Sequence, residues 1–229
     1  MRRRRTAARV AAEELDFDGL VRGLESAYRE FREPVVTAMT RTERNPFKVL
    51  VATLLSLRTR DEQTGPAAER LFALAQTPQT MVLLPAADIE QAIYPVGFYR
   101  VKALRVIEVC RVLLEEHGGQ VPSGMEELLQ LPGVGRKTAN LVLTRGFGLP
   151  GICVDTHVHR ISNRLGLVRT RAPDETETAL RKLLPEQFWI PWNDLLVAFG
   201  QNLCKPLSPH CSRCPVRSMC AREGVERSR

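Results

Sequence analysis

Prolines cut this chain into lengths that suit helices and little else. Pro34, Pro46, Pro66, Pro78, Pro85, Pro95, Pro122, Pro132, Pro150, Pro173 and Pro185 leave runs of about 8 to 20 residues joined by short loops. Strand signals are scarce: alternating runs of Val, Ile, Thr and aromatic residues are few, and no Asn-Gly pair joins two of them. Helical periodicity fills the gaps. Val101 to Glu116 places Leu104, Ile107, Cys110, Leu113 and Leu114 on one face and Lys102, Arg105, Glu108, Arg111 and Glu115 on the other, which reads as a surface helix stopping at Gly118-Gly119. Val49 to Leu57 is apolar almost all round, as a central helix surrounded by others would be. The capping box Ser123-x-x-Glu126 predicts a short helix toward Gln130, then a glycine turn, then a helix from Arg136 or Lys137 to about Thr144. No tandem repeat is present. The expected class is all-α.

Length and charge bound the function less tightly. The 229 residues suffice for one large or two compact domains, and 44% hydrophobic with 26% charged residues is the balance of a folded globule. Of the net charge of +7, four units sit in the run Arg2–Arg5, so the remainder carries only +3. That suits a polyanionic partner without demanding one. The run reads either as a solvated tail or as an arm on nucleic acid. No segment approaches the roughly 18 consecutive apolar residues of a membrane span. The basic start lacks the apolar core of a secretory signal, and Glu13, Glu14, Asp16 and Asp18 argue against an organelle leader, so a cytoplasmic protein is expected.

Cys204, Cys211, Cys214 and Cys220 fall within seventeen residues as Cys-x6-Cys-x2-Cys-x5-Cys, too dense for four unrelated thiols. In a cytosolic chain they would share zinc or an iron–sulfur cluster, and spacing alone does not choose between the two. Six basic against two acidic residues lie between positions 204 and 229, so the loop they fix could also meet phosphate. Cys110 and Cys153 sit in apolar surroundings and read as core. In Leu131-Pro132-Gly133-Val134-Gly135-Arg136-Lys137, the two glycines permit a tight turn. They also remove side chains from backbone N–H groups that could meet an anion, although a purely structural turn would look the same.

These residues, followed by Val154-Asp155-Thr156-His157, closely resemble the helix-hairpin-helix DNA glycosylases, and within them the endonuclease III family. LLSLRTRDEQT at 54–64 and YPVGFYRVKA at 94–103 extend the likeness from about residue 40 to 220. The resemblance implies two all-α domains: a six-helix barrel over 39–149 carrying the helix-hairpin-helix at about 125–145, and a discontinuous iron–sulfur domain from 1–38 and 150–229. It implies a 4Fe–4S cluster on the four cysteines and double-stranded DNA, with damaged pyrimidines or abasic sites, across the cleft. It implies a monomer that acts as a bifunctional DNA N-glycosylase and abasic-site lyase in base-excision repair. Gly133, Val134, Gly135 and Arg136 would contact DNA. Lys137 would attack C1′ and form a Schiff base leading to β-elimination. Asp155 would assist, its other expected role being a helix cap.

Flipping a nucleotide out of a duplex requires side chains to hold the gap. The family pattern Ser-x-Gln-Thr-x-Asp is met by Ser56, Thr59 and Asp61, but Arg58 stands where the family has Gln. It could stack and donate to the orphan base, or pair with a phosphate or Asp61. Phe98 takes the place of the family's apolar wedge, and His157 resembles a pocket residue. A mismatch-adenine glycosylase is opposed by the lysine at 137. A damage-specific or redox-sensing DNA-binding protein with lost activity is the rival from another class, and Arg58 is its only hint.

Overall fold

The computed structural model describes residues 16–31, 33–40 and 44–229; the Arg2–Arg5 run lies outside them. Among the described residues there are twelve α-helices and no strand. In chain order they are α1 (Phe17–Tyr28), α2 (Val35–Met39), α3 (Pro46–Ser56), α4 (Asp61–Leu74), α5 (Pro78–Met81) and α6 (Ala86–Ile93). Then follow α7 (Tyr99–Glu116), α8 (Met125–Gln130), α9 (Arg136–Leu141), α10 (Thr156–Leu165), α11 (Pro173–Leu183) and α12 (Trp189–Asn202).

Local chemistry explains most of the boundaries. Asn45 caps α3 by accepting from the Lys48 N–H at 3.0 Å, and Pro46 occupies the first turn, where its missing N–H is harmless. Pro173 opens α11 in the same way, with acidic residues in its first turn and Arg181 and Lys182 in its last, matching the helix dipole. Pro66 departs from the punctuation rule: it sits inside α4. There it is exposed and costs the helix the one bond its missing N–H would have made.

Two hydrophobic cores form. The first is built around α3, whose Leu50, Val51, Ala52 and Leu55 are fully buried against α4, α7, α9 and the π-helical turn Val142–Phe147. Each buried leucine there contributes about 1.5–3 kcal/mol. The second gathers Leu20 and Leu24 of α1, Ile161 of α10, Leu180 of α11, Trp192 and Phe199 of α12, and Val216 from the cysteine-bearing segment. Gly23 of α1 lets that segment come close, since a Cβ there would meet Val216 Cγ1 at 2.6 Å. The passage between the cores gives Ile152 to the second and Cys153 to the first.

Three sequence expectations shift. The cap of α8 is Gly124 rather than Ser123, and Glu127, not Glu126, folds back over it: a Cβ on Gly124 would meet Glu127 Oε2 at 2.5 Å. The helix after the glycine turn is α only to Leu141 and continues as the π turn, where Gly146 passes within 2.8 Å of Pro46 Cα for any added Cβ. Finally, α7 is rotated from its expected phase. Lys102, Ala103, Val106, Val109, Cys110 and Leu113 face inward, while Leu104 is 60% exposed. Ala103, Val106, Val109, Cys110 and Leu113 form the apolar stripe that faces in, and Lys102 joins it because it finds buried acceptors, described below.

Candidate active site

A cleft of about 640 Å³ lies between the two cores, lined from the first by Ser56, Arg58, Asp61, Gly135, Arg136 and Lys137 and from the second by Asp155, His157, Glu177 and Asn193. Lys137 and Asp155, eighteen positions apart in sequence, therefore share one wall-to-wall space. Lys137 is carried by the first turn of α9, directly after the glycine turn in which Gly133 has φ +75. Its carbonyl accepts a weak bond from Cys153 Sγ at 3.5 Å, and the Cys153 carbonyl accepts from Asn193 at 3.0 Å, so the lysine's backbone is tied to α12.

Asp155 is the cap of α10, as its sequence context suggests. Its Oδ1 accepts from the His157 and Val158 N–H groups, both at 2.8 Å. His157 packs hard against α12: an added Cβ on Gly200 would come within 2.2 Å of its Nδ1. Arg160 donates to that Nδ1 at 3.1 Å. Burial pushes the ring below the usual imidazole value, the Arg160 charge acts the same way, and Asp155 opposes them. Since a guanidinium only donates, Nδ1 accepts and the neutral ring carries its proton on Nε2.

The turn residues divide. Val134 is 7% exposed, belongs to the first core, and its N–H donates to Leu131 O at 3.1 Å. Arg136 lines the cleft but is held by Glu177 through two bonds of 2.9 and 3.1 Å; Glu177 also accepts from Arg181. Composition and periodicity did not single out Glu177, a buried carboxylate that joins the glycine turn to α11. Ser56 Oγ is spent on Thr53 O at 2.8 Å, and Asp61 Oδ2 accepts from the Val35 N–H at 3.3 Å.

Arg58 lines the cleft, and Phe98 stands beside it to make a rim. Both adopt left-handed backbone, φ +54 and +60, which is uncommon outside glycine. Phe98 is 62% exposed, and the Arg58 guanidinium lies 6.0 Å from its ring centre. Gly97 closes the gap between the two turns, because a Cβ there would meet Arg58 O at 2.9 Å. Behind them sits Lys102, assigned to the polar face by its spacing and in fact buried.

The four clustered cysteines are free of disulfides and line one small cavity beside Arg164, Phe199, His210 and Val216. Arg164 donates to Cys204 Sγ at 3.4 Å, and the Cys220 thiol donates to Arg164 O at 3.4 Å. Among the described residues no three His, Cys, Asp or Glu side chains are gathered tightly enough to hold a metal. The donor set, four soft sulfurs facing one cavity, fits an iron–sulfur group in kind. Burial pushes the Cys110 and Cys153 thiols up to about 12, so both stay protonated and inert, as their apolar contexts imply.

Residues 51–186 match the family model described as HhH-GPD superfamily base excision DNA repair protein. An endonuclease III of Thermotoga maritima is 53% identical over 178 residues, covering 78% of this chain and 84% of the relative. A solved non-covalent endonuclease III–DNA complex is similar with TM-score 0.80 at 34% identity, over 93% of this chain and 96% of that one. A trapped endonuclease III–DNA covalent intermediate is similar with TM-score 0.78 at 35% identity, over 91% and 97%.

Proposed function

This chain belongs to the HhH-GPD superfamily of base excision DNA repair proteins and, within it, to the endonuclease III family, and from that premise we propose how its residues divide the work. The protein is a DNA glycosylase and abasic-site lyase whose partner is DNA. The finer assignment takes oxidised pyrimidines in duplex DNA as substrates. Lys137 Nζ donates its lone pair to C1′ of the extruded nucleotide as the glycosidic bond breaks and its electrons leave with the base. The bound amine gives up one proton, the ring oxygen O4′ takes one up as the sugar ring opens to the protonated Schiff base, and loss of a C2′ proton then breaks the C3′–O bond and expels the 3′ phosphate. Asp155 stabilises the positive charge that develops at the sugar and receives a proton from the amine. The observation that carries this reading is the shared cleft: Lys137 and Asp155 reach it from opposite cores, one on each side of a space large enough for a nucleotide.

The chain is read as two domains, 39–149 and 1–38 with 150–229, and the separate cores support that division. Gly133, Gly135 and Arg136 present the glycine turn to a phosphate, with Val134 serving as its apolar anchor. Arg58 and Phe98 hold the gap left by the flipped nucleotide, supported by their paired exposure at the cleft rim. Cys204, Cys211, Cys214 and Cys220 hold a 4Fe–4S cluster; bound, it would cross-link the last loops and fix their basic side chains toward DNA. Iron and sulfide counted per purified chain test that, and zinc in their place would overturn it. A monomer located with the DNA of the cytoplasm is consistent with this reading; among the described residues no helix is long and apolar enough to cross a membrane.

Borohydride trapping tests the chemistry. A duplex with one thymine glycol and a duplex with one abasic site should both be trapped and cut by the protein, and neither by Lys137→Ala, with a loss on the order of a thousandfold or more. Persistent trapping by Lys137→Ala would remove Lys137 as nucleophile. Cleavage confined to the abasic duplex would remove oxidised pyrimidines as the substrate class.

A further inference from the structure

Lys102 is 8% exposed, yet every hydrogen of its ammonium is used. It donates to Leu55 O at 2.7 Å, Leu57 O at 2.6 Å and Thr59 Oγ1 at 2.9 Å. Two of these acceptors flank Arg58 directly in sequence. The Leu55 and Leu57 carbonyls also end α3, where a helix dipole favours a cation. The backbone of Lys102 is bound to the other rim turn, for its N–H donates to Phe98 O at 3.0 Å. One residue therefore grips both left-handed turns, one through its side chain and one through its main chain. Non-glycine residues in that conformation persist only where their surroundings over-determine them, and the Lys102 bonds together with the close approach of Gly97 supply that constraint.

We propose that Lys102 is a positioning residue for base extrusion, fastening the Arg58 turn to the first turn of α7 so that Arg58 and Phe98 enter the duplex as one preformed wedge. The ammonium touches no substrate. It acts by removing the ordering cost that two loose tips would add to the few kcal/mol of flipping itself. The inference rests on the reading of Arg58 and Phe98 as the gap-holding pair.

The test compares two rates in the full-length protein: single-turnover excision of thymine glycol from a duplex, which needs the wedge, and strand cleavage at an abasic site in single-stranded DNA, which has no orphan base to replace. Lys102→Met is expected to lower the ratio of the first rate to the second at least tenfold, and the double variant Lys102→Met, Arg58→Ala should lower it no further than Arg58→Ala alone. A merely structural role would lower both rates together and leave the ratio fixed, which overturns the proposal, as does a multiplicative loss in the double variant. Thr59→Val removes one of the three acceptors at nearly constant shape and keeps the question open to measurement if Lys102→Met fails to fold; it should lower the ratio about threefold, and an unaltered ratio overturns the proposal. If Arg58→Ala and Phe98→Ala leave the ratio intact, the gap-holding reading fails and this inference falls with it. If they lower it while Lys102→Met does not, the inference alone fails.

Discussion

The floor of the cleft and its rim are held by different means. Asp155 is fixed by bonds two and three residues away, and Lys137 by a glycine turn that immediately precedes it. The Arg58 turn is fixed by an ammonium forty-three to forty-seven residues distant, whereas the Phe98 carbonyl meets the N–H of that same lysine only four residues on. At the floor the Asp155 cap is local, where capping is favourable in itself, and one longer tie runs from the Lys137 carbonyl through Cys153 to Asn193. The rim asks two side-chain-bearing residues to stay in a disfavoured conformation while exposed, and at Arg58 the constraint comes from far along the chain. The Asp155 cap is thus set by sequence neighbours, and the Arg58 turn by tertiary structure.

Substitutions can break that division. Asp155→Asn should have the largest effect of those that spare Lys137: asparagine caps about as well as aspartate, so melting should shift by no more than about 2 °C. Without the negative charge, single-turnover excision should fall about a hundredfold. A large melting shift with a small rate change would place Asp155 on the structural side instead. Gly97→Ala comes next. Its Cβ would press on the Arg58 carbonyl at 2.9 Å, a backbone atom that cannot swing away. Duplex excision should drop about tenfold, with a smaller loss at single-stranded abasic sites; equal losses would mean that the rim and the floor are one unit.

The smallest effect sharpens the account of Lys102. Burial pushes its ammonium down from 10.5 to about 8, so it stays charged at neutral pH with all three bonds made. Between those values the unfolded chain holds a proton that the folded chain has released, so folding stability rises with pH across that window. Denaturation midpoints measured at about pH 7 and about pH 10 should therefore move in favour of the wild type relative to Lys102→Met. A constant difference would mean that the lysine keeps its ordinary value and is less buried than the fold indicates.

The helices were legible because their signals are local. Asn45-Pro46 marks the start of α3, and the unbroken apolar run after it marks the hub of the first core. Asp155 was legible twice, as a cap and as part of a family motif. Lys102 was not, since periodicity assigns every lysine to the solvent face; only the carbonyls at the end of α3, far away in sequence, reverse that assignment. Leu104, its counterpart, looked buried and faces solvent. Glu177 escaped notice because its partners Arg136 and Arg181 lie forty-one positions before it and four after it, and only the first of these carries the link to the glycine turn. The left-handed turns at Arg58 and Phe98 carry no glycine or asparagine at those positions to announce them.

The close seating of Val216 over Gly23 bears on how the protein is made. Val36 to Cys153 complete the first core, so that core can close while the rest of the chain is still on the ribosome. Helix α1, made earlier than any part of that core, must wait. Its partners Trp192, Phe199 and Val216 are all translated after that core. An early helix thus clasps a late segment, and the half of the cleft that bears Asp155 is finished after the half that bears Lys137.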